Sequence, residues 1–424
     1  MITDEEFFKL VTLYIKPLFG IHNVSSCFES CNQYASQTRN GSVKLSLTRA
    51  FAKLSLKRNQ AFSRDEIFLL RRIIANWAIT FRNDYPKRHR DNIALFELQE
   101  AISYHVSRFS KGVVQKTIDL FDNWARETYE GQRISFSIGV DEYKKNSQQE
   151  DSKNFFSICG DDYAKVITSG HDTIITLDSE GNVISHESLS FPETEDAQTM
   201  LAPLSFLPIA NWTSQRKYSI CLNRIGEILI FKNKKLLFAK RRGKWKFFTH
   251  DAYIRSMHIP SENPRIGLKL RTALYITMLD TSFQRKGAGV GFIAKKHALT
   301  DDGRIKQDFS IIQQDDLLNS TNNKSIFISC LIQNKSFHLL SRSLRQELLS
   351  IDGATVILDN GKILSTGAIL QIPGGSSGGG RKAAAHVLAR YGLGVKVSND
   401  GKIAFWKNLT DTALATEPPI YEIG

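Results

Sequence analysis

Residues 349–394 carry the tightest local constraint in this 424-residue chain. Thr355-Val356-Ile357-Leu358 is an unbroken apolar run with β-branching, the pattern of a strand covered on both faces. Asp359-Asn360-Gly361 follows, and Asn-Gly between two apolar runs is a strong hairpin signal. The return strand runs from Lys362 to about Ile372. Next comes Pro-Gly-Gly-Ser-Ser-Gly-Gly-Gly-Arg-Lys over residues 373–382, and from there Ala383 to Gly392 reads as a short helix that opens on two cations. Hairpin, glycine-rich loop and helix are thereby set in order.

The loop has a chemical reading. Gly374, Gly375, Gly378, Gly379 and Gly380 leave backbone N–H groups open, with Ser376 and Ser377 among them. A helix starting near Arg381 adds its own unpaired N–H groups and the positive end of its dipole, the general recipe for a phosphate site. Arg381 and Lys382 add full charge there. Cations in a first helical turn oppose the dipole, and a bound anion gives them a purpose. A flexible surface loop is the other reading. A Walker A loop is excluded: Arg381 stands where Lys belongs, and Ala383 where the metal-binding hydroxyl belongs. Asp352 opens the first strand beside Gly353 and Ala354, so little bulk surrounds its carboxylate. It can hold a divalent cation or a sugar hydroxyl, or it can cap a turn.

From about Arg265 to Trp406 the sequence resembles the diadenylate cyclase (DAC) domain superfamily, the DisA N-terminal family. The order agrees: a helix over Leu268–Phe283, a strand from Lys286-Gly287-Ala288 to Ile293-Ala294, a helix over Phe337–Leu349, Asp-Gly-Ala, a hairpin, then a basic loop and helix. The resemblance implies that Asp352-Gly353-Ala354 holds metal and nucleotide. It also implies that Gly379-Gly380-Arg381 or Gly380-Arg381-Lys382 takes the phosphates, where active members carry Arg-His-Arg. The His and one Arg are lost, and Ile351 replaces the usual His before the Asp. In this the chain is similar to the divergent DACNV group of sensor domains. The resemblance implies a nucleotide or dinucleotide ligand with magnesium or manganese. For cyclase chemistry it further implies two such domains face to face, hence a homo-oligomer.

Elsewhere the hydrophobic period divides the chain. Thr3 with Glu6 and Ser63 with Glu66 are capping-box pairs ahead of helical stripes. Further helices are expected over Asn92–Phe109 and Val113–Arg126, so residues 1–130 read as a helical region that can dock a protein partner or form a dimer. Ile134, Phe136, Ile138 and Val140 then alternate as a strand does. Hairpins are expected over Lys165–Leu189, turning at Ser179–Asn182, and over Lys217–Lys240, turning at Lys232-Asn233-Lys234. Residues 131–257 thus read as β-rich, with a polar linker over Lys144–Asn154 and an acidic loop over Pro192–Asp196. His258–Pro264 reads as a linker. Gly287-Ala288-Gly289-Val290-Gly291 enters a strand, so the dinucleotide fingerprint fails. Asp301–Ser320 is a polar excursion in which Asp315 and Asp316 read as a solvated loop before a metal pair. Residues 407–424 read as a tail without periodicity.

Composition narrows the function classes. No apolar run is long enough to span a membrane. Asp4, Glu5 and Glu6 stand where an export signal is basic, and five scattered cysteines form neither a disulfide framework nor a zinc set, so a cytoplasmic protein is expected. A net charge of +13 favours polyanions without choosing one. The richest basic run, Lys240-Arg241-Arg242-Gly243-Lys244-Trp245-Lys246, with Phe247 and Phe248, reads as a solvated hairpin end before it reads as a base-stacking surface. Nucleic acid is therefore the weakest reading. The expectation is an α/β nucleotide-binding sensor of DAC-like mixed sheet and flanking helices, preceded by β-rich and helical parts. An active cyclase condensing ATP is its alternative, with Asp352, Arg381 and Lys382 as the catalytic set.

Overall fold

In the computed structural model the described residues are 3–21, 23–27, 36–39, 42–46, 53–58, 60–81, 86–144, 153–160, 162–257, 259, 261, 263–306, 309–371, 379–407 and 419–423. The chain divides into two units, residues 1–193 with 200–249, and residues 194–199 with 250–424. Among the described residues no helix is long and apolar enough to cross a membrane.

In the first unit both capping boxes form. Thr3 exchanges bonds with Glu6 at the start of helix Asp4–Leu10, and Ser63 with Glu66 at the start of Arg64–Thr80. Glu66 also holds Arg58 in a buried bidentate pair, with both N···O distances 2.7 Å. Helices Lys87–Val106 and Lys111–Trp124 complete the helical part. Residues 1–130 are nevertheless not all helical. Asn23–Cys27, Lys53–Lys57, Ser42–Ser46 and Ser36–Arg39 form a four-stranded antiparallel sheet in that order. The local signals are short ones. Lys53-Leu54-Ser55-Leu56-Lys57 alternates with period two, and Arg39 pairs with Ser42 across an Asn-Gly dipeptide.

A seven-stranded sheet follows, ordered Lys244–Phe247, Lys235–Arg241, Ile228–Lys232, Lys217–Leu222, Phe136–Asp141, Thr173–Leu177, Val183–Ser188. Its neighbours are antiparallel apart from Phe136–Asp141 with Thr173–Leu177. All six residues of Phe136–Asp141 are buried, so the alternation seen in the sequence is not an in-and-out pattern. One apolar core joins this sheet to the helices, from Phe7 through Trp77 and Phe121 to Phe247. Lys217–Lys240 makes three strands instead of one hairpin, with Asn233 and Lys234 at positive φ as the expected turn requires. The basic run at 240–248 is a hairpin whose end, Arg242-Gly243-Lys244, is exposed as expected, while the residues on either side are not solvated. Trp245, Phe247 and Phe248 are buried, Lys240 meets Asp122, and Arg241 pairs with Glu227 at 2.7 Å. Those rings are core, so they offer no stacking surface. Trp212 lies over Gly139, where a Cβ would come 2.5 Å from its ring. Residues 145–152 of the expected linker lie outside the described residues.

The second unit is built on a six-stranded sheet ordered Ile363–Ala368, Ala354–Leu358, Ala288–Ile293, Gly392–Val397, Ile403–Lys407, Tyr421–Ile423. Ala288–Ile293 and Ala354–Leu358 are parallel; the other neighbours are antiparallel. Of the expected tail, Tyr421–Ile423 adds a short edge strand to this sheet, and residues 408–418 lie outside the described residues. The acidic loop expected over Pro192–Asp196 runs into a short helix, Thr194–Thr199, which is tied to this unit by a bond from Arg342 to the Ala197 carbonyl, 2.8 Å. Asn263 caps helix Pro264–Phe283, with Pro264 at its first position, so the expected linker ends inside a helix. The helix expected over Phe337–Leu349 is shorter, Arg342–Ser350, after a single tight turn at Phe337–Leu339. Arg342 pairs bidentately with Asp280 in the interior, both distances 2.7 Å.

Candidate functional site

The hairpin after Asp352 forms as its residues require. Leu358 N–H donates to the Lys362 carbonyl at 2.8 Å, and Gly361 adopts φ +90°. Three residues, Asp359 to Gly361, thereby make the turn, with glycine at the left-handed position. The whole of Ala354–Leu358 is buried, as the apolar run demands. The return strand stops at Ala368 instead of near Ile372.

Asp352 leaves helix Arg342–Ser350 just before this strand. Gly353 turns the chain at φ +105°, and Gly367 faces it at φ +65°. A Cβ at Gly353 would lie 2.5 Å from the Gly367 carbonyl carbon, and one at Gly367 would lie 2.9 Å from the Asp352 carbonyl oxygen. The two glycines interlock, and only glycine fits either place without strain. Lys324 Nζ clamps the contact from outside, donating to the Gly367 carbonyl and to Asp316 Oδ1, each at 2.8 Å. Asp316 Oδ2 in turn accepts from Ile369 N–H at 3.0 Å. Asp316 is therefore a structural group, which corrects both its solvated-loop and its metal-pair readings. Ala354 is buried in the core and can offer a ligand only its backbone.

Extending the parallel register of Gly289 with Ala354 by two residues brings Gly287 level with Asp352. Helix Gly380–Ala389 covers this end of the sheet. It approaches closely because small residues face it. A Cβ at Gly394 would overlap the Ala385 carbonyl, and one at Gly291 would lie 2.7 Å from Leu388 Cβ. The helix start therefore sits over the strand ends, and Arg381 lies across Gly287.

Arg381 Nη1 donates to Asn399 Oδ1 at 3.0 Å, and Nη2 stands 3.8 Å from Asp352 Oδ1. The Asp352 side chain is 100% exposed and that of Arg381 34%. Among the described residues the Asp352 carboxylate takes no hydrogen bond from backbone, so it caps no turn. Lys382, half-buried beside Arg381, has no side-chain partner among the described residues. Gly379 caps the helix at φ +90° without a side-chain bond, whereas Gly380 is helical with open space around it. Gly374, Gly375, Ser376, Ser377 and Gly378 lie outside the described residues. Among the described residues no group of three or more His, Cys, Asp or Glu can hold a metal. A lone carboxylate still suits magnesium that arrives on phosphate, since that ion is commonly held by one or two carboxylates, waters and substrate oxygens.

Asn399 escaped the sequence reading. It opens a second three-residue turn, Asn399-Asp400-Gly401, in which Ser398 N–H donates to the Lys402 carbonyl at 2.8 Å. Ser282 Oγ donates to the Gly401 carbonyl at 2.5 Å, and Arg285 reaches the Asp400 carbonyl. Helix Pro264–Phe283 thereby anchors the turn that presents Asn399. The available signal was Asn-Asp-Gly between two apolar runs, which locates a turn but not its neighbour in space.

No family model and no curated protein matches this chain. Among solved structures, a double mutant of DacA from Staphylococcus aureus is similar at 18% identity with a TM-score of 0.20, covering 32% of this chain and 79% of that one.

Proposed function

We propose that this protein is a cytoplasmic nucleotide sensor, and that its second unit is a divergent DAC-like domain that binds a nucleotide or dinucleotide without efficient turnover. The observation that carries the reading is the meeting of Arg381 with the fully exposed Asp352 carboxylate, 3.8 Å apart at a helix start. Neither group is buried by the other. Phosphate oxygens draw Arg381 and Lys382, and the N–H groups opening helix Gly380–Ala389 add to that pull. Asp352 remains for a ribose hydroxyl or for a divalent cation carried by the phosphates. Magnesium or manganese bound there neutralises phosphate charge. The order of elements around Asp352-Gly353-Ala354 supports the DAC-like assignment.

Loss of the His and an Arg from the phosphate motif supports binding over catalysis. Turnover needs charge stabilisation where charge develops, and each 1.4 kcal/mol lost there costs about ten-fold in rate. Ground-state binding keeps Arg381, Lys382 and the backbone donors. Calorimetry with ATP and with cyclic di-AMP, with and without magnesium, tests the reading. In Arg381→Ala/Lys382→Ala the affinity is expected to fall at least ten-fold, because a charge-assisted bond contributes about 1.5–3 kcal/mol. Unchanged affinity sinks the assignment. Chromatography after incubation with ATP and manganese separates the sensor from the cyclase: abundant cyclic di-AMP, lost in Asp352→Asn, puts the cyclase first.

A further inference from the structure

We infer that Asn399 and Gly287 are the positioning residues of the phosphate site: together they set where the Arg381 guanidinium stands. The inference rests on the phosphate reading of Arg381 given above. Three elements meet at this point. Arg381 comes from the first turn of its helix, Gly287 from the approach to strand Ala288–Ile293, and Asn399 from the turn after strand Gly392–Val397. A Cβ at Gly287 would overlap Nη1 and Cζ of Arg381 and come within 2.5 Å of Asn399 Oδ1. The guanidinium thus occupies the space that a side chain would take. Gly287 is buried and its φ is not positive, so alanine fits the backbone conformation of residue 287. What must yield to alanine is the far ends of two side chains, Arg381 and Asn399, not the sheet.

Asn399 acts from the other side. Its Oδ1 accepts from Nη1 at 3.0 Å, which turns the planar fork so that Nη2 points to the Asp352 side. An arginine held by one neutral acceptor keeps its charge and its remaining donors for an anion. Without Asn399 the long side chain samples many rotamers, and ordering it again weakens binding. Neither residue needs to touch the ligand for this.

A double-mutant cycle tests the inference. Asn399→Ala and Gly287→Ala are made in the wild type and in Arg381→Ala, and affinities for ATP, GTP and cyclic di-AMP are measured by calorimetry with magnesium. Each single change is expected to weaken binding about five- to ten-fold, and less than about two-fold once Arg381 is gone, because residues that act through one group do not add. A loss that persists in the Arg381→Ala background overturns the inference, since the residue then acts by another route. Wild-type affinity in both single variants, with Arg381→Ala weak, overturns it while leaving the phosphate reading intact. Full affinity in Arg381→Ala, or no binding of any of the three probes to the wild type, removes the reading and the inference with it. Gly287→Ala keeps the Asn399 side chain and the Ser398–Lys402 backbone bond that closes the turn, so it decides the matter if Asn399→Ala loosens that hairpin.

Discussion

At the scale of single residues, two glycines set the geometry of the site more firmly than its charges do. Gly353 and Gly367 both adopt positive φ; a Cβ at Gly353 would meet the Gly367 backbone, and one at Gly367 the Ile351 side chain and the Asp352 carbonyl. Gly353→Ala is expected to destabilise the second unit by about 1–3 kcal/mol, from left-handed strain together with a clash against immobile backbone. That corresponds to roughly 2–4 °C of melting temperature per kcal/mol for a unit of this size. Scanning calorimetry checks it, and an unchanged melting temperature shows that the contact is loose. Ligand affinity falls as well, because Asp352 moves with its neighbour. The sequence showed Gly353 only as part of Asp-Gly-Ala. Its partner Gly367 carried no signal, since the need for glycine there comes from a strand return fourteen positions later, closed by Lys324. Asp316 illustrates the same limit: two adjacent carboxylates look like a solvated or metal-binding pair until the lysine that pairs with one of them is in place.

At the scale of elements, what was legible was local. Both capping boxes, the Asp359–Gly361 turn and the buried strand after Asp352 are written in contiguous residues, and each forms. The N-terminal sheet was hidden because its strands are short and rich in Ser and Lys, so helical stripes on either side dominated the pattern. The site depends on a packing that no local pattern states: helix Gly380–Ala389 lying close on strands Ala288–Ile293 and Gly392–Val397. Gly394 is the tightest point, where a Cβ would overlap the Ala385 carbonyl. Neither partner can swing away, since both are backbone. Gly394→Val is therefore expected to lift the helix from the sheet, lower the melting temperature of the second unit, and displace Arg381. Overpacking of this kind costs about 1–3 kcal/mol or more. Thermal unfolding read alongside ATP binding checks it. A variant that melts and binds as the wild type does would mean that the helix is not held at this strand.

At the scale of the whole chain, the period change near residue 132 separates helical from β-rich sequence, yet both parts belong to one unit with a shared core. Periodicity reports which face of an element is apolar, not which elements bury those faces together. Each unit is a cooperative body with its own hydrophobic core, so two unfolding transitions are expected. His105 marks the first. Burial between Phe238 and Phe247 pushes His105 down to about 4 from its ordinary 6.5, opposed by Asp65 and reinforced by Lys232. The unfolded chain thus binds a proton that the folded one refuses. This contribution to stability is complete above pH 6.5 and is lost as the pH falls toward 4. In His105→Phe, whose ring suits the same aromatic neighbours, that part of the acid slope is expected to vanish. Ligand distinguishes the second. A nucleotide bound at Asp352 and Arg381 stabilises only the unit that holds them, by about 2.7 kcal/mol at a free concentration one hundred times its dissociation constant. Calorimetric scans with and without ATP and magnesium should therefore show one transition move upward and the other stay. The transition that stays is expected to be the one whose acid slope His105→Phe reduces. If ATP raises the His105-dependent transition instead, the binding site lies in the first unit and the assignment to residues 250–424 is wrong.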